Sequence, residues 1–269
     1  MDKATWGGVV LGVGGIVGGL LLEGGKLSQV LQPTAAMIVF GGTMGAVLIQ
    51  FPLPVVGNAV RYLGRVFFQP KLDAMERVRE LVKFANQARR EGIVSLDSKL
   101  EEIREPFLKK SLMLAVDGTE PQELRDIMEL ELNHRAEQED RIGQVFESAG
   151  GFSPTIGIIG AVMGLIQVMQ HLDKIDEVGR GIAVAFVATI YGVGAANLFF
   201  LPSAGKLRTR IREEQVLREL TLEGVVSILE GMNPRMLETR LHGFLAQEKE
   251  KDKEHPEEKS QAASAGAGQ

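Results

Sequence analysis

Four long stretches of this sequence contain no Asp, Glu, Lys or Arg, and they constrain the possible fold more than any other feature. They are residues 4–22, 27–60, 150–170 and 181–204. Each can supply the roughly 20 apolar residues that cross a bilayer as one helix, whereas a helix in a water-soluble core is shorter or carries charges on one face. The mean hydropathy of +0.05 therefore averages apolar segments with charge-dense ones. The sequence predicts an all-α membrane protein with four transmembrane helices.

The charged segments predict the orientation of the chain in the membrane. An even number of spans places both termini, and the polar segment between the second and third spans, on one side. Most basic residues near the span ends lie on that side: Arg61, Arg65, Arg141, Lys206, Arg208, Arg210 and Arg212. The opposite side has Lys26, Lys174 and Arg180. Because cytoplasmic loops carry an excess of Lys and Arg, the N- and C-termini are predicted to be cytoplasmic.

The predicted organisation has five segments. The first two membrane helices and a short periplasmic loop occupy residues 1–60, and a helical cytoplasmic domain occupies residues 61–148. The third and fourth membrane helices occupy residues 149–204. A cytoplasmic helical segment follows in residues 205–246, and a disordered tail in residues 247–269. The tail is a Lys/Glu run followed by Ala, Ser and Gly, a composition that cannot bury a core.

The cytoplasmic domain is predicted to consist of helices. Apolar residues recur at the helical period within Met75–Glu91 and within Gln122–Phe146. Gly92 and the segment 117–121 indicate turns, and Thr119 or Pro121 is suited to the start of the following helix.

Glycines recur four residues apart in the first two spans. The pairs are Gly8 and Gly12, Gly14 and Gly18, Gly15 and Gly19, and Gly41 and Gly45. Small residues at this spacing let membrane helices approach closely, so we expect helix neighbours for these faces. Packing within the four-helix set and packing between subunits both remain open.

The sequence gives no sign of an enzyme, a metal site, a bound cofactor or a nucleic-acid partner. It has no Cys, and its four His residues lack the spacing of metal ligands. The run 20–27 resembles a phosphate-binding loop but has Leu at the first glycine and at the hydroxyl position. Lys and Arg alternate with Asp and Glu throughout, so no basic face for nucleic acid is predicted.

The membrane stretches contain polar residues but no ionisable carboxylate, Lys, Arg or His. The polar residues of the later stretches are Ser153, Thr155, Thr189, Tyr191 and Asn197. A lone membrane Thr commonly donates its hydroxyl to a carbonyl of its own helix, but a cluster favours a function. A protein that moves protons usually keeps an ionisable relay in the membrane, so any relay here is expected from a partner.

Several motifs of the later spans resemble one known family. Residues 154–166 read Pro-Thr-Ile-Gly-Ile-Ile-Gly-Ala-Val-Met-Gly-Leu-Ile, which resembles the third-span signature of the flagellar stator MotA/PomA family, itself related to ExbB and TolQ. Residues 188–192 and 197–202 are similar to its fourth span and closing proline. Residues 88–97 and the turn 117–119 match in the same order. The resemblance covers almost everything except the tail.

The resemblance implies an assembly in the bacterial inner membrane. Five copies of this chain would surround a dimer of a MotB-type partner, which supplies the membrane aspartate and a peptidoglycan-binding domain. Ion flow would then drive the cytoplasmic charges of the pentamer against the rotor protein FliG. The runner-up is an ExbB/TolQ-type energiser of outer-membrane processes, although those relatives typically have three spans. A structural scaffold or a small-solute transporter is a further alternative, but no repeated halves with broken helices are visible.

The resemblance also implies roles for particular residues. The ion-pathway positions are Thr155, Ala161, Thr189 and Asn197, and the conformational prolines are Pro154 and Pro202, for which simple helix termination is the alternative. Arg89, Arg90 and Asp97 match rotor-facing charges. Sodium-driven members of the family have a hydroxyl at the position of Ala161 and proton-driven members tend to have Ala, so proton transport is expected, with sodium as the alternative.

Overall fold

The computed structural model describes residues 2–68 and 73–247, and every regular element in these ranges is a helix. The first part contains α1 (Lys3–Leu22), a single turn (Leu27–Val30), α2 (Pro33–Gln50) and α3 (Leu53–Phe67). The second part contains α4 (Ala74–Glu91), a 3-10 segment (Ile93–Lys99), α5 (Pro106–Val116), α6 (Pro121–Gln170), α7 (Ile175–Leu229) and α8 (234–247). The predicted all-α fold is confirmed.

Four helices of the described chain are long and apolar enough to cross a membrane, as predicted: α1, α2, α6 and α7. The last two have 50 and 55 residues. At 1.5 Å per residue each is more than twice as long as the roughly 30 Å core of a bilayer. Each therefore continues without a break from an apolar span into a charged segment.

The second charge-free stretch, 27–60, does not form one helix. The structure ends α2 at Gln50, and Phe51 and Pro52 have extended backbone conformations. Pro52 lacks an N–H and disfavours helical φ and ψ at Phe51, which explains the break. A second proline, Pro54, occupies the first turn of α3, where no N–H is needed.

Residues 2–68 and 137–211 form one compact unit, which contains α1, α2 and the charge-free parts of α6 and α7. One of its cores packs the buried face of α3, through Val56, Ala59 and Val66, against Phe146 of α6 and Leu207 of α7. By contrast, α1 buries none of its own residues.

Residues 73–136 and 212–247 form a second compact unit with its own apolar core. The largest fully buried side chains of that core include Leu81, Leu96, Phe107, Leu124, Leu220 and Leu241. The helices predicted at Met75–Glu91 and Gln122–Phe146 are confirmed within α4 and α6. The predicted turns contain Gly92 and Gly118 at φ of 86° and 85°, a conformation that favours glycine.

The division predicted from the sequence, with boundaries at 60, 148, 204 and 246, remains a prediction. Helices α6 and α7 run through residues 148 and 204 without interruption. The predicted tail 247–269 lies outside the described residues except for Gln247, the last residue of α8.

Candidate functional site

The third and fourth spans, in α6 and α7, approach each other through glycines. A Cβ built on Gly157 would lie 2.9 Å from the carbonyl oxygen of Ala188, and one on Gly192 would lie 2.6 Å from the carbonyl oxygen of Ser153. Towards the other end of the seam, a Cβ on Gly164 would lie 2.7 Å from the carbonyl oxygen of Gly181. Separations below 3.0 Å leave no room for a side chain, so the two backbones are in direct contact.

The predicted ion-pathway residues lie along this pair of helices. The Thr189 backbone lies at the seam, because the Cβ position of Gly157 is 3.5 Å from the Thr189 Cα. Ala161 and Thr189 are half-buried in the chain, whereas Thr155 and Asn197 are exposed.

The polar side chains of this set donate to carbonyls of their own helices. The Thr155 hydroxyl lies 2.8 Å from the Phe152 oxygen and the Thr189 hydroxyl lies 3.2 Å from the Ala185 oxygen. The Asn197 amide donates to Val193 at 2.9 Å. Each hydroxyl therefore donates its hydrogen to a backbone carbonyl. Its oxygen keeps lone pairs that can accept a hydrogen bond from water or coordinate a cation. Ala161 offers no ligand.

Neither predicted proline ends a helix, so the alternative of simple helix termination is wrong. Pro154 lies inside α6. Pro202 lies inside α7, two residues after the end of a π-helical turn at Ala196–Phe200. Proline lacks an N–H and crowds the carbonyl four residues earlier, and a wider π turn accommodates both effects without stopping the helix.

The two prolines each remove one backbone hydrogen bond from their helices, in neighbouring turns. Pro154 cannot donate to the carbonyl of Gly150, and a Cβ on Gly150 would lie 2.5 Å from Leu201, the residue before Pro202. The Cα of Pro154 is also 3.2 Å from the Cβ position of Gly192 on α7. Both weakened hydrogen-bond ladders therefore occur where the third and fourth spans are in contact.

Tyr191 has a structural role that the sequence did not indicate. Its hydroxyl donates to the Val30 oxygen at 2.5 Å and accepts from the Gln32 N–H at 3.3 Å. It therefore ties the connection between α1 and α2 to α7.

Two hydroxyls in the membrane stretches are buried without a hydrogen-bond partner in the described chain: Ser153, next to Pro154, and Thr43 on α2. The sequence singled out Ser153 but missed Thr43. A single hydroxyl in an apolar stretch does not reveal which face of its helix is covered.

The predicted rotor-facing charges lie on the surface of the second unit. Arg89 and Arg90 are exposed in the last turn of α4, and Asp97 is exposed on the 3-10 segment. Leu96, beside Asp97, is fully buried and fixes this segment to the core. The Gln87 amide also donates to the Ser95 oxygen at 3.1 Å, so the segment is held against α4.

A charge cluster at the start of α1 was not found by sequence reasoning. Oδ2 of Asp2 accepts from Lys206 Nζ at 2.5 Å and from Arg210 Nη2 at 2.7 Å. Oδ1 of Asp2 caps α1 by accepting from the Ala4 N–H at 3.0 Å. The hydrogen bond from Lys206 holds the pKa of Asp2 well below its usual value of 3.8, so the carboxylate stays charged.

Two known protein families match this chain. Residues 99–220 match the MotA/TolQ/ExbB proton channel family, and residues 6–92 match the Motility protein A N-terminal family. Motility protein A of Bacillus subtilis (strain 168) is 36% identical over 247 residues, which cover 91% of each chain.

Two solved structures are similar along most of the chain. The structure of C. jejuni MotAB has 33% identity and a TM-score of 0.85, and the match covers 91% of this chain and 96% of that one. The flagellar MotAB stator complex from Bacillus subtilis has 34% identity and a TM-score of 0.81, over 90% of this chain and 96% of that one.

Proposed function

Because this chain belongs to the MotA/TolQ/ExbB proton channel family, within it to the relatives of Motility protein A, we propose that it is an ion-conducting stator subunit of the bacterial flagellar motor. The similarity to MotAB stator complexes along most of its length carries this proposal. Its place is the inner membrane, with both termini in the cytoplasm. The role is mechanical and conductive rather than enzymatic.

The match of residues 6–92 to the Motility protein A N-terminal family separates this proposal from the runner-up, an ExbB/TolQ-type energiser. The match includes α1 and α2, which are two candidate spans before the first long polar segment. The three-span relatives typically have one span there.

A MotB-type partner is part of the proposed assembly, with five copies of this chain around a dimer of that partner. The lack of a carboxylate, Lys, Arg or His in all four membrane stretches supports this, because the missing carboxylate must then come from another chain. The uncovered surface of α1 supports it as well, since the helix buries none of its residues and its glycines other than Gly12 meet nothing within 4 Å in the described chain, which leaves them accessible to other subunits.

We propose that the ion is a proton and that it passes beside Thr155, Ala161, Thr189 and Asn197. Sodium gives up its water only where several oxygens replace it, whereas a proton requires a carboxylate and a hydrated path. Ala161 contributes no oxygen. The lone pairs left on Thr155 and Thr189 can order water next to the partner's carboxylate.

Torque reaches the rotor protein FliG through Arg89, Arg90 and Asp97. These side chains are exposed, and the buried Leu96 and the hydrogen bond from Gln87 hold the segment that carries Asp97 in place. Charges fixed on a rigid support can orient and push a partner of opposite charge pattern.

Expression of this chain with its own partner in cells that lack stators tests the proposal. Tethered cells should regain rotation in discrete speed steps as single stators join the motor. Absence of rotation, although the complex is present in the membrane, would contradict it. Rescue of outer-membrane transport in cells without ExbB or TolQ would instead support the runner-up.

A further inference from the structure

Helix α3 presents an apolar stripe that nothing else in the described chain covers. Leu53, Val60 and Phe68, the residue after α3, are 72%, 60% and 60% exposed. Gly57 and Gly64 fall in the same stripe, and a Cβ on either would meet nothing within 4 Å. Leu53, Gly57, Val60 and Gly64 are spaced four, seven and eleven residues from the first, which places them on one side of the helix, and Phe68 follows its last turn.

The buried side of α3 fixes the direction in which this stripe faces. Val56, Ala59 and Val66 are buried against α6 and α7. An isolated helix could rotate to hide its apolar residues, but this one is held by its own core. The exposed stripe is therefore a fixed surface that requires an apolar environment.

The contacts of α3 place it at the depth where the spans meet water. On α6 its core includes Phe146 and Ala149, at the beginning of the charge-free stretch 150–170. On α7 it includes Ala204 and Leu207, on either side of Lys206, the first charge after the fourth span. This is the depth of the lipid headgroups.

One edge of the stripe is cationic. Arg61 is exposed beside Val60, and the guanidinium of Arg65 lies 4.2 Å from the centre of the Tyr62 ring. The sequence contains no Asp or Glu between Glu23 and Asp73. The Trp6 ring lies 5.5 Å from the Phe67 ring at the end of α3, so aromatic side chains, which favour membrane interfaces, gather at the same level.

We propose that α3 is a membrane-surface helix that binds anionic phospholipids. The stripe of Leu53, Val60 and Phe68 enters the acyl region, and Arg61 and Arg65 contact the phosphates. An apolar face with a cationic edge fits a negatively charged bilayer surface, and a basic side chain near such a surface contributes about 1 kcal/mol of attraction. The proposal requires membrane insertion of the chain but not its stator role.

Trp6 is the only tryptophan of the chain and provides the probe. The full chain is reconstituted into vesicles of equal phosphatidylglycerol and phosphatidylcholine, in which the acyl chains of either one lipid or the other are brominated. Brominated phosphatidylglycerol should quench Trp6 more strongly. Arg61→Gln should reduce the relative affinity for phosphatidylglycerol about fivefold. This is the change that corresponds to the loss of about 1 kcal/mol of attraction, because 1.4 kcal/mol is a factor of ten in affinity.

Arg79→Gln is the matched control, because it removes an exposed arginine from α4 in the other compact unit and should leave the ratio unchanged. Equal quenching by the two lipids in the wild type would overturn the proposal. So would a preference for phosphatidylglycerol that Arg61→Gln does not alter.

A second measurement distinguishes lipid from a second copy of the chain on the stripe. Because the chain has no cysteine, Val60→Cys accepts a single nitroxide label. High accessibility of the label to oxygen, as in the acyl region, supports the proposal. Low accessibility to both oxygen and a water-soluble relaxant would show that protein covers the stripe, which would overturn it.

Discussion

Gly157 and Gly192 face each other so closely that a Cβ added to Gly192 would lie 3.1 Å from the Cα of Gly157. The same Cβ would lie 2.6 Å from the Ser153 carbonyl oxygen, which is backbone and cannot rotate away. Gly192→Ala should therefore force α6 and α7 apart and reduce the stability of the assembled complex by about 1–3 kcal/mol. Thermal unfolding of the complex in detergent measures this.

Gly194→Ala is the matched control for this prediction. It lies two residues further along α7, and a Cβ there meets nothing within 4 Å among the described residues. Alanine is favoured over glycine in a helix by roughly 0.5–1 kcal/mol, so this variant should be neutral or slightly stabilised. Equal destabilisation by both substitutions would show that the close approach of the helices is not the cause.

The glycine spacing predicted close helix contacts, but it did not identify where the chain makes them. The structure places nothing within 4 Å of a Cβ on Gly8, Gly14 or Gly18, and in α1 only Gly12 meets a side chain, Leu198 at 3.1 Å. The close backbone contacts are instead between α6 and α7. Small residues allow two helices to approach, but the partner of each face depends on the tertiary arrangement.

Pro154→Ala should give a complex that inserts and assembles normally but generates little torque. The alanine N–H can donate to the Gly150 carbonyl, which restores a continuous hydrogen-bond ladder and stiffens α6 at its contact with α7. Membrane content by immunoblotting, together with torque from tethered-cell rotation, measures the two effects separately. Loss of the protein from the membrane would point to a structural requirement instead.

Reversal of the rotor-facing charges should impair motility without affecting assembly. In the double variant Arg89→Glu, Asp97→Lys, two exposed charges change sign while the buried Leu96 keeps the local fold. Swimming should be lost, because opposed charges orient the contact with the rotor. Arg79→Glu, the same change at an exposed position earlier on α4, should swim normally. Normal swimming of the double variant would refute the assignment.

Asp2→Asn should weaken the complex at pH 7, because it removes the charge that pairs with Lys206 and Arg210 while asparagine can still cap α1. The pKa of Asp2 is lower in the folded protein than its ordinary value of 3.8. The charged carboxylate therefore stabilises the folded protein fully at pH values above 3.8, and this stabilisation is lost as the pH falls below that value.

The difference in unfolding temperature between wild type and Asp2→Asn should therefore be constant from neutral pH to about 5 and should shrink below about 4. Asp97→Asn is the control, since that carboxylate is exposed. A difference that does not change in acid would exclude the charge as the cause.

The sequence predicted the features that depend on local composition and missed those that depend on distant contacts. Charge-free runs predicted four spans, because each membrane helix must present apolar side chains to lipid and satisfy its backbone hydrogen bonds within its own segment. The Asp2–Arg210 hydrogen bond joins residues 208 positions apart, so no local pattern could indicate it. Pro52 indicates the helix break at Phe51 and Pro52. The break was missed because the charge-free stretch continues through it to residue 60.

The transported ion is expected to be a proton. The Thr189 hydroxyl keeps lone pairs free after donating to Ala185, but Ala161 supplies no oxygen, and a dehydrated sodium ion requires several. Motor speed should therefore be insensitive to external sodium at fixed pH and should collapse when a protonophore removes the proton gradient. Thr189→Val, which removes the hydroxyl but keeps the side-chain shape, should slow the motor if that oxygen orders water on the proton path. A motor speed that rises and saturates with sodium would show that Thr155, Thr189 and backbone carbonyls suffice to bind the ion, and proton coupling would be wrong.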